Sequence, residues 1–392
     1  MDNQQYNNTN PKKKATILKF VILGIVLCGV LAGIIIFLIS SHADQDVESV
    51  EYSGKLDEAD QYLNDEDYDM AETTYLDAIE LEPQNRRAYL KLSDAYVDQK
   101  KYKEAADILE QGIEDCGDKS VKQQFEKVYP YYGYEQFVQN DLYDQYGVVT
   151  ATEENEISTS LASSAVVDVN DDEIPELITV MVKESDDPMC FVITVYTCHD
   201  KEITETAKKE HSCGDSKYDK NTCDVFLKNN DGNIYLAIQD IHNTSGDVCQ
   251  KLWLYGIEED SISQVEEFTI DQSTAAPKVS SSFDLNGEKV GYCSMELNHE
   301  ISSYKPEQIQ AYNDQYRTGY DAFIECLKNY GLEHLLGIEE GNEYYSKGFN
   351  AYEPDADTET YLFNYSYHKA GFSDTHYLDF QERTGLQQDL ED

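Results

Sequence analysis

Near the N-terminus the chain carries one long, uninterrupted apolar run. Residues 20–39 are uncharged and mostly aliphatic. At about 1.5 Å per residue, a helix of this length spans about 30 Å, the thickness of a hydrocarbon core. We therefore expect a transmembrane helix over 16–40. A cleaved signal peptide is the alternative, although its apolar region is normally only about 7–15 residues long.

The stretch after the apolar run repeats itself with a period of 34 residues, 52–85 and then 86–119. Polar breaks at 65–69 and 98–103 divide each copy into two segments of helical apolar spacing. Pro83 and Gly117 stand where the second helix of each copy should end. Equivalent positions carry similar side chains, such as Tyr62 and Tyr96, Tyr68 and Tyr102, and Ala71 and Ala105.

The segments EDYDMAETTYLDAIELEPQN and AYLKLSDAYVDQKKYKEAADILEQGI resemble the tetratricopeptide repeat family. The resemblance covers residues 52–119 and implies helix pairs whose concave face binds a protein or peptide. Tyr62, Tyr89 and Tyr96 on the first helices would line that face. A rigid stalk that binds nothing is the alternative. Because such stacks need about three units, we expect a capping helix over 119–129, before Pro130, or help from the following domain or another subunit.

The second half of the chain changes to a β pattern after a helix over 133–146. Apolar, β-branched and aromatic residues alternate at strand spacing, with a hairpin at Asn286-Gly287 and another expected near Lys208-Lys209. A helix follows over 306–330. This order predicts an α+β multidomain chain: a transmembrane helix, a short all-α repeat solenoid and a mainly antiparallel β domain with flanking helices. The predicted parts are a tail (1–15), the membrane helix (16–40), repeats with a cap (44–130), the α+β domain (131–335) and an acidic, Tyr-rich module or tail (336–392).

Charge is distributed unevenly and indicates a membrane topology. The formal net charge is −47, yet residues 1–40 carry +3, which leaves −50 for the rest. So much negative charge excludes a nucleic-acid-binding protein that works through basic patches. Lysines before the span predict a cytoplasmic N-terminus and an extracytoplasmic main part. Gly29 and Gly33 form a small-xxx-small pattern through which two such helices could dimerise.

One acidic segment, 168–178, has the spacing of a calcium-binding loop. Asp168, Asn170, Asp172 and Glu176 offer side-chain oxygens, and Ile174 could add its carbonyl. The segment resembles the Asp-rich loops of FG-GAP/VCBS-type repeats in exported bacterial proteins. Glu173 stands where that pattern has glycine, so we expect it to adopt an unfavourable backbone conformation. The alternative is an acidic turn that joins two strands and binds no calcium.

Nothing in the sequence indicates an enzyme. There is no phosphate-binding loop, GxSxG, HExxH or dinucleotide-binding glycine pattern. Eight of the nine cysteines lie outside the apolar run, which permits disulfides in an oxidising compartment. Cys198 could pair with Cys213 or Cys223, but spacing does not settle the connectivity.

The sequence therefore predicts a single-pass membrane protein of a bacterial cell surface that uses its repeats to bind a protein or peptide. The alternative is a surface sensor or ligand-binding module whose β domain binds calcium, glycan or peptide. Electrostatic attraction favours calcium or a basic peptide as a partner for so acidic a chain.

Overall fold

The structure, a computed structural model, describes residues 49–147, 160–183, 189–213, 220–297, 303–340, 343–353, 355 and 357–368. The predicted tail, the predicted membrane helix and the Gly29–Gly33 pattern lie outside these residues. Within the described ranges, no helix combines the length and the apolar character that crossing a membrane requires.

Five consecutive helices follow the repeat pattern. Their bounds are α1 Val50–Asn64, α2 Tyr68–Leu81, α3 Arg86–Asp98, α4 Tyr102–Cys116 and α5 Lys119–Phe137. The breaks between them coincide with the polar segments expected at 65–69 and 98–103. Ser49, Asp67 and Asn85 cap α1, α2 and α3 by accepting backbone N–H bonds, and α4 ends at Gly117 in the left-handed conformation.

Helix α5 joins the repeats to the β domain. It continues without a break through a π-helical turn, Val138–Tyr143, and a last α-helical turn, Asp144–Tyr146. The predicted end before Pro130 is wrong, because Pro130 lies inside the helix. Proline weakens a helix by removing one hydrogen bond and crowding a carbonyl. Here α5 packs against other elements on both sides of Pro130. Phe125 lies in the repeat core, and Tyr134 lies in the core between α5 and the four-stranded sheet.

The β domain consists of two antiparallel meanders. The four-stranded sheet has the order β1-β2-β3-β4, and the seven-stranded sheet has the order β10-β9-β8-β7-β6-β5-β13. The pair β11 and β12 is a separate short ribbon. The strand bounds are β1 Ser160–Val167, β2 Glu176–Lys183, β3 Met189–His199, β4 Glu202–Cys213, β5 Lys220–Asn230, β6 Asn233–Asn243, β7 Asp247–Glu258, β8 Ser261–Ser273, β9 Lys278–Leu285, β10 Glu288–Glu296, β11 Glu339–Glu340, β12 Tyr345–Ser346 and β13 Glu359–His368.

Strand β4 was not predicted. The hairpin expected near Lys208-Lys209 is wrong: both residues lie within β4, and the chain turns at Asp200-Lys201 instead. The strand EITETAKKEHSC lies at the edge of its sheet and carries few apolar residues. Edge strands are commonly charged on their exposed side, which hides the alternation that sequence analysis relies on.

The two sheets and two long helices form four layers. Phe191, Ile193 and Val195 of β3 pack against the seven-stranded sheet, whereas Val192 faces α5 on the other side. The second long helix, α6 Pro306–Lys328, covers the outer face of the seven-stranded sheet. The layer order is therefore α5, four-stranded sheet, seven-stranded sheet, α6. Because successive side chains of a strand point to opposite faces of its sheet, each strand contributes residues to two cores.

The chain beyond residue 335 does not form a separate module as far as it is described. Strand β13 pairs antiparallel with β5 and completes the seven-stranded sheet. Tyr352 stacks on Phe226 of β5 at 4.1 Å between ring centroids. The predicted boundary at 335/336 is therefore wrong, because four of the tyrosines that suggested an independent core, Tyr344, Tyr345, Tyr352 and Tyr361, pack against the core under α6.

Candidate functional site

The first helices of the repeats, α1 and α3, form a face with α5 that the repeat resemblance predicts to be the binding face. Of the three tyrosines expected there, Tyr89 is 0% exposed and Tyr96 is 7% exposed. The Tyr89 hydroxyl donates to Asp115 at 2.7 Å, and its ring packs against Gly112. Tyr62 is half-buried against the repeat core. Tyr89 and Tyr96 therefore hold the helices together and are not available to contact a partner.

Charged and polar side chains form a cluster between these helices. The Lys91 ammonium of α3 donates to both carboxylate oxygens of Asp60 in α1, each at 2.9 Å. The Tyr75 hydroxyl of α2 donates to Asp60 as well, at 2.5 Å. Burial, and then the nearby Asp60 charge, raise the pKa of Tyr75. About a third of the Lys91 and Asp60 side chains is exposed, so water reaches this ion pair.

The same face continues from α3 to α5 through Asp94. The Gln124 side-chain amide of α5 donates to the Asp94 carboxylate at 3.1 Å. Burial, and then the like charge of Asp98, raise the pKa of Asp94. Asp60, Asp94 and Asp98 outnumber Lys91, so the face is acidic. We call the five side chains Asp60, Tyr75, Lys91, Asp94 and Gln124 the inter-helix polar row.

Sequence reasoning missed this row for a physical reason. Aspartate and lysine on a helix surface are so common in an acidic chain that no pair stands out. One signal was present, namely that each of these charged residues is next to a core residue in the sequence. Asp60 follows Ala59 and Lys91 precedes Leu92, and both Ala59 and Leu92 lie in the repeat core. A side chain adjacent to a buried helical position stands at the border of the core, where it can reach the next helix.

The predicted calcium loop adopts the expected turn but uses its oxygens internally. The Asp168 carboxylate accepts backbone N–H bonds from Asn170, Asp172 and Glu173. Glu173 has a φ of +68°, which confirms the unfavourable conformation expected for a residue in place of glycine. Its side chain pairs with Lys127 of α5, and this contact ties the loop to the joining helix.

Glu176 is separated from the other predicted ligands by burial. It is 3% exposed and accepts the Val169 N–H at 2.9 Å. Burial raises its pKa to about 7, although that hydrogen bond opposes the shift. Among the described residues, no group of three or more His, Cys, Asp or Glu side chains is placed to hold a metal ion. Calcium binding by Asp168, Asn170, Asp172 and Glu176 gains no support from this geometry and stays a prediction.

The cysteines that the structure describes with their side chains form no disulfide with one another. They are Cys116, Cys190, Cys198, Cys223, Cys249, Cys293 and Cys326. Cys198 is therefore not bonded to Cys223, and the disulfide framework that the cysteine count permitted is not formed among these seven. Burial raises the pKa of the Cys198 thiol to about 11, which leaves it protonated and unreactive at neutral pH.

The helical part of the chain is similar to a known repeat. A comparison with curated proteins finds none that matches this chain. Residues 56–85 and 87–114 match the tetratricopeptide repeat. The matched residues run from within α1 to within α4, and each match covers one helix pair. Helices α1 to α4 are therefore two tetratricopeptide repeats, which support a role in protein–protein interaction.

Proposed function

We propose that this protein is a membrane-anchored, extracytoplasmic interaction protein whose tetratricopeptide repeats bind a protein or peptide through the inter-helix polar row. The repeats are the observation that carries the proposal, because they match a family that binds proteins. The apolar run over 20–39 and the lysines before it support the anchor and its orientation.

The polar row favours a basic partner. The two aspartates of the row, Asp60 and Asp94, outnumber its one lysine, Lys91, and the rest of the chain is strongly acidic. A lysine or arginine of the partner would bind Asp94, because its carboxylate accepts a hydrogen bond from the neutral Gln124 amide, whereas Asp60 already pairs with Lys91. Two charges near a protein surface attract by a few kcal/mol at most, and salt weakens this attraction. We therefore expect binding that weakens as the ionic strength rises.

Photo-cross-linking in cells that make the full chain tests the proposal. A photoreactive residue in place of Gln124 should cross-link one partner, and the added change Asp94→Lys should abolish that product. The matched control is Asp107→Lys, because Asp107 is exposed on α4 and pairs only with Lys103 of its own helix. Loss of the product in both lysine variants, or in neither, would reject binding at the polar row.

The anchor and the orientation need their own test. Alkaline phosphatase is active only outside the cytoplasm, so its fusion after residue 392 should be active if the main part is extracytoplasmic. Replacing two leucines of the apolar run with arginine should release the chain from the membrane fraction or prevent its export. An inactive fusion on a stable chain would overturn the proposed location.

A further inference from the structure

The seven-stranded sheet extends beyond the four-stranded sheet that covers it. The core between the sheets takes its buried residues from β5, β6, β7 and β13 of the larger sheet, and none from β9 or β10. On β9, Val279, Ser281 and Phe283 face α6. Their neighbours Ser280 and Ser282 face the opposite side, which the described part of the four-stranded sheet does not cover. We call this uncovered part of the larger sheet, around β9 and β10, the ledge.

A groove of about 470 Å³ runs along this ledge. Its floor is formed by directly paired residues: Asp271 of β8 lies opposite Ser282 of β9, and Ser282 lies opposite Tyr292 of β10. Ser273 and Ser280 form the next pair toward the end of the sheet. Thr244, from the turn before β7, and Asp247, the first residue of β7, form the end wall. Small serines at three floor positions leave the space that larger side chains would fill.

The groove offers hydrogen-bonding groups that the protein does not use itself. Among the described residues, the carboxylates of Asp247 and Asp271 and the hydroxyls of Ser273 and Ser280 make no hydrogen bond, and the Ser282 hydroxyl donates only to Asp284, at 3.5 Å. A carboxylate accepts hydrogen bonds, and a hydroxyl both donates and accepts. This set matches a ligand rich in hydroxyl groups.

Tyr292 adds an aromatic surface to one side of the groove. It is 44% exposed, the most exposed large aromatic residue in the described part of the chain. The ammonium nitrogens of Lys278 and Lys289 lie 5.8 and 5.2 Å from its ring centroid. An aromatic ring beside hydroxyls and carboxylates provides both an apolar contact and oriented polar contacts, as in ligand sites generally.

We propose that this groove binds a saccharide, with Asp247 and Asp271 accepting sugar hydroxyls and Tyr292 contacting the apolar face of a sugar ring. A sugar is the ligand class that combines many hydroxyls with a weakly apolar C–H face. The inference does not depend on protein binding by the repeats, because none of the groove residues belongs to α1–α5.

Isothermal titration of the full chain in detergent with maltohexaose, chitohexaose and mannohexaose tests the inference. These neutral probes avoid the unspecific attraction that any cation would show for so acidic a protein. At least one should bind saturably. Asp271→Ala and Tyr292→Ala should each weaken that binding by roughly tenfold or more, since a few central contacts usually dominate affinity.

The matched controls are Glu288→Gln on β10 and Asp260→Asn in the turn between β7 and β8, which change exposed carboxylates outside the groove lining. Both should bind the sugar like the unchanged chain, and the melting temperatures of all four variants should agree within a few degrees. The inference is overturned if none of the three probes binds, or if the control variants lose binding as much as the groove variants do.

Discussion

The Lys201 ammonium of the β3–β4 turn donates to the Glu110 carboxylate of α4 at 2.6 Å. The same ammonium lies 5.4 Å from the ring centroid of Phe125 and 5.6 Å from that of Tyr129, both in α5. Lys201 thus contacts two helices of the repeat region from the four-stranded sheet. Its backbone has a φ of +70°, a region that glycine adopts far more easily.

Two substitutions at Lys201 should distinguish the loss of its side-chain contacts from the relief of its backbone strain. Lys201→Ala should destabilise the protein by about 1 kcal/mol, because it removes the ion pair and the cation–π contacts and keeps the left-handed backbone. Lys201→Gly removes the same contacts but relieves about 1 kcal/mol of backbone strain. Urea unfolding should therefore place Lys201→Gly near the unchanged protein. Equal destabilisation by both variants would show that the turn is not strained.

Gly112 and Gly54 lie in two helices of the repeats and should respond oppositely to alanine. An added Cβ at Gly112 would stand 2.8 Å from the Tyr89 ring, whereas Gly54 has nothing within 4 Å. Overpacking a core costs about 1–3 kcal/mol, and alanine gains about 1 kcal/mol over glycine in a helix. Thermal melting should show Gly112→Ala below and Gly54→Ala above the unchanged protein. A stabilised Gly112→Ala would mean that the Tyr89 ring can move.

The repeats were predictable from the sequence because helix pairs of fixed length place a break and a small residue at every copy. Whether an individual tyrosine is buried or available to a partner was not predictable, since Tyr89 fits the pattern of a binding residue and of a packing residue equally well. Its burial depends on Gly112 and Asp115, which belong to the next helix. Only the three-dimensional arrangement shows that both reach the same ring.

The β domain shows the same limit. The hairpin at Asn286-Gly287 was predictable, because both residues adopt positive φ in the turn between β9 and β10. Strand β13 was not, because its partner β5 lies more than a hundred residues earlier in the chain. Pairing between such distant segments leaves no periodic signal in the sequence, so residues 336–392 were expected to fold separately.

His211 should make the protein sensitive to acid. It is buried between Phe191 and Trp253, and burial lowers its pKa from 6.5 to about 4, despite the opposing effect of Asp240. The unfolded chain therefore binds a proton more readily, and stability falls as the pH drops from about 6.5 to 4. His211→Phe should reduce this loss by about 2 kcal/mol between pH 7 and 5. Urea unfolding at pH 7 and pH 5 measures this loss of unfolding free energy. The control is His199→Gln, a change at an exposed histidine, which should lose as much unfolding free energy between the two pH values as the unchanged protein does.

The free cysteines predict the outcome of a thiol titration. Full chain that is purified without reductant and then unfolded should react with at least seven equivalents of a thiol reagent, one for each of the described free cysteines. Their burial should protect most of them in the folded protein, so the reaction should be slow before denaturant is added. Because the chain has nine cysteines, five or fewer reactive thiols in the unfolded chain would show that described cysteines form disulfides after all.

Glu176 should have the opposite pH dependence to His211. Burial raises its pKa from 4.5 to about 7, so the folded state binds the proton more tightly than the unfolded state does. Stability must then fall as the pH rises from about 4.5 to 7, by about 2–3 kcal/mol in total. Glu176→Gln keeps an oxygen for the Val169 N–H and has no proton to lose. It should remove this slope and exceed the unchanged protein in stability at pH 8, as measured by urea unfolding. Asp171→Asn, an exposed change in the same loop, should leave the slope intact; an unchanged slope in Glu176→Gln would place the titrating group elsewhere.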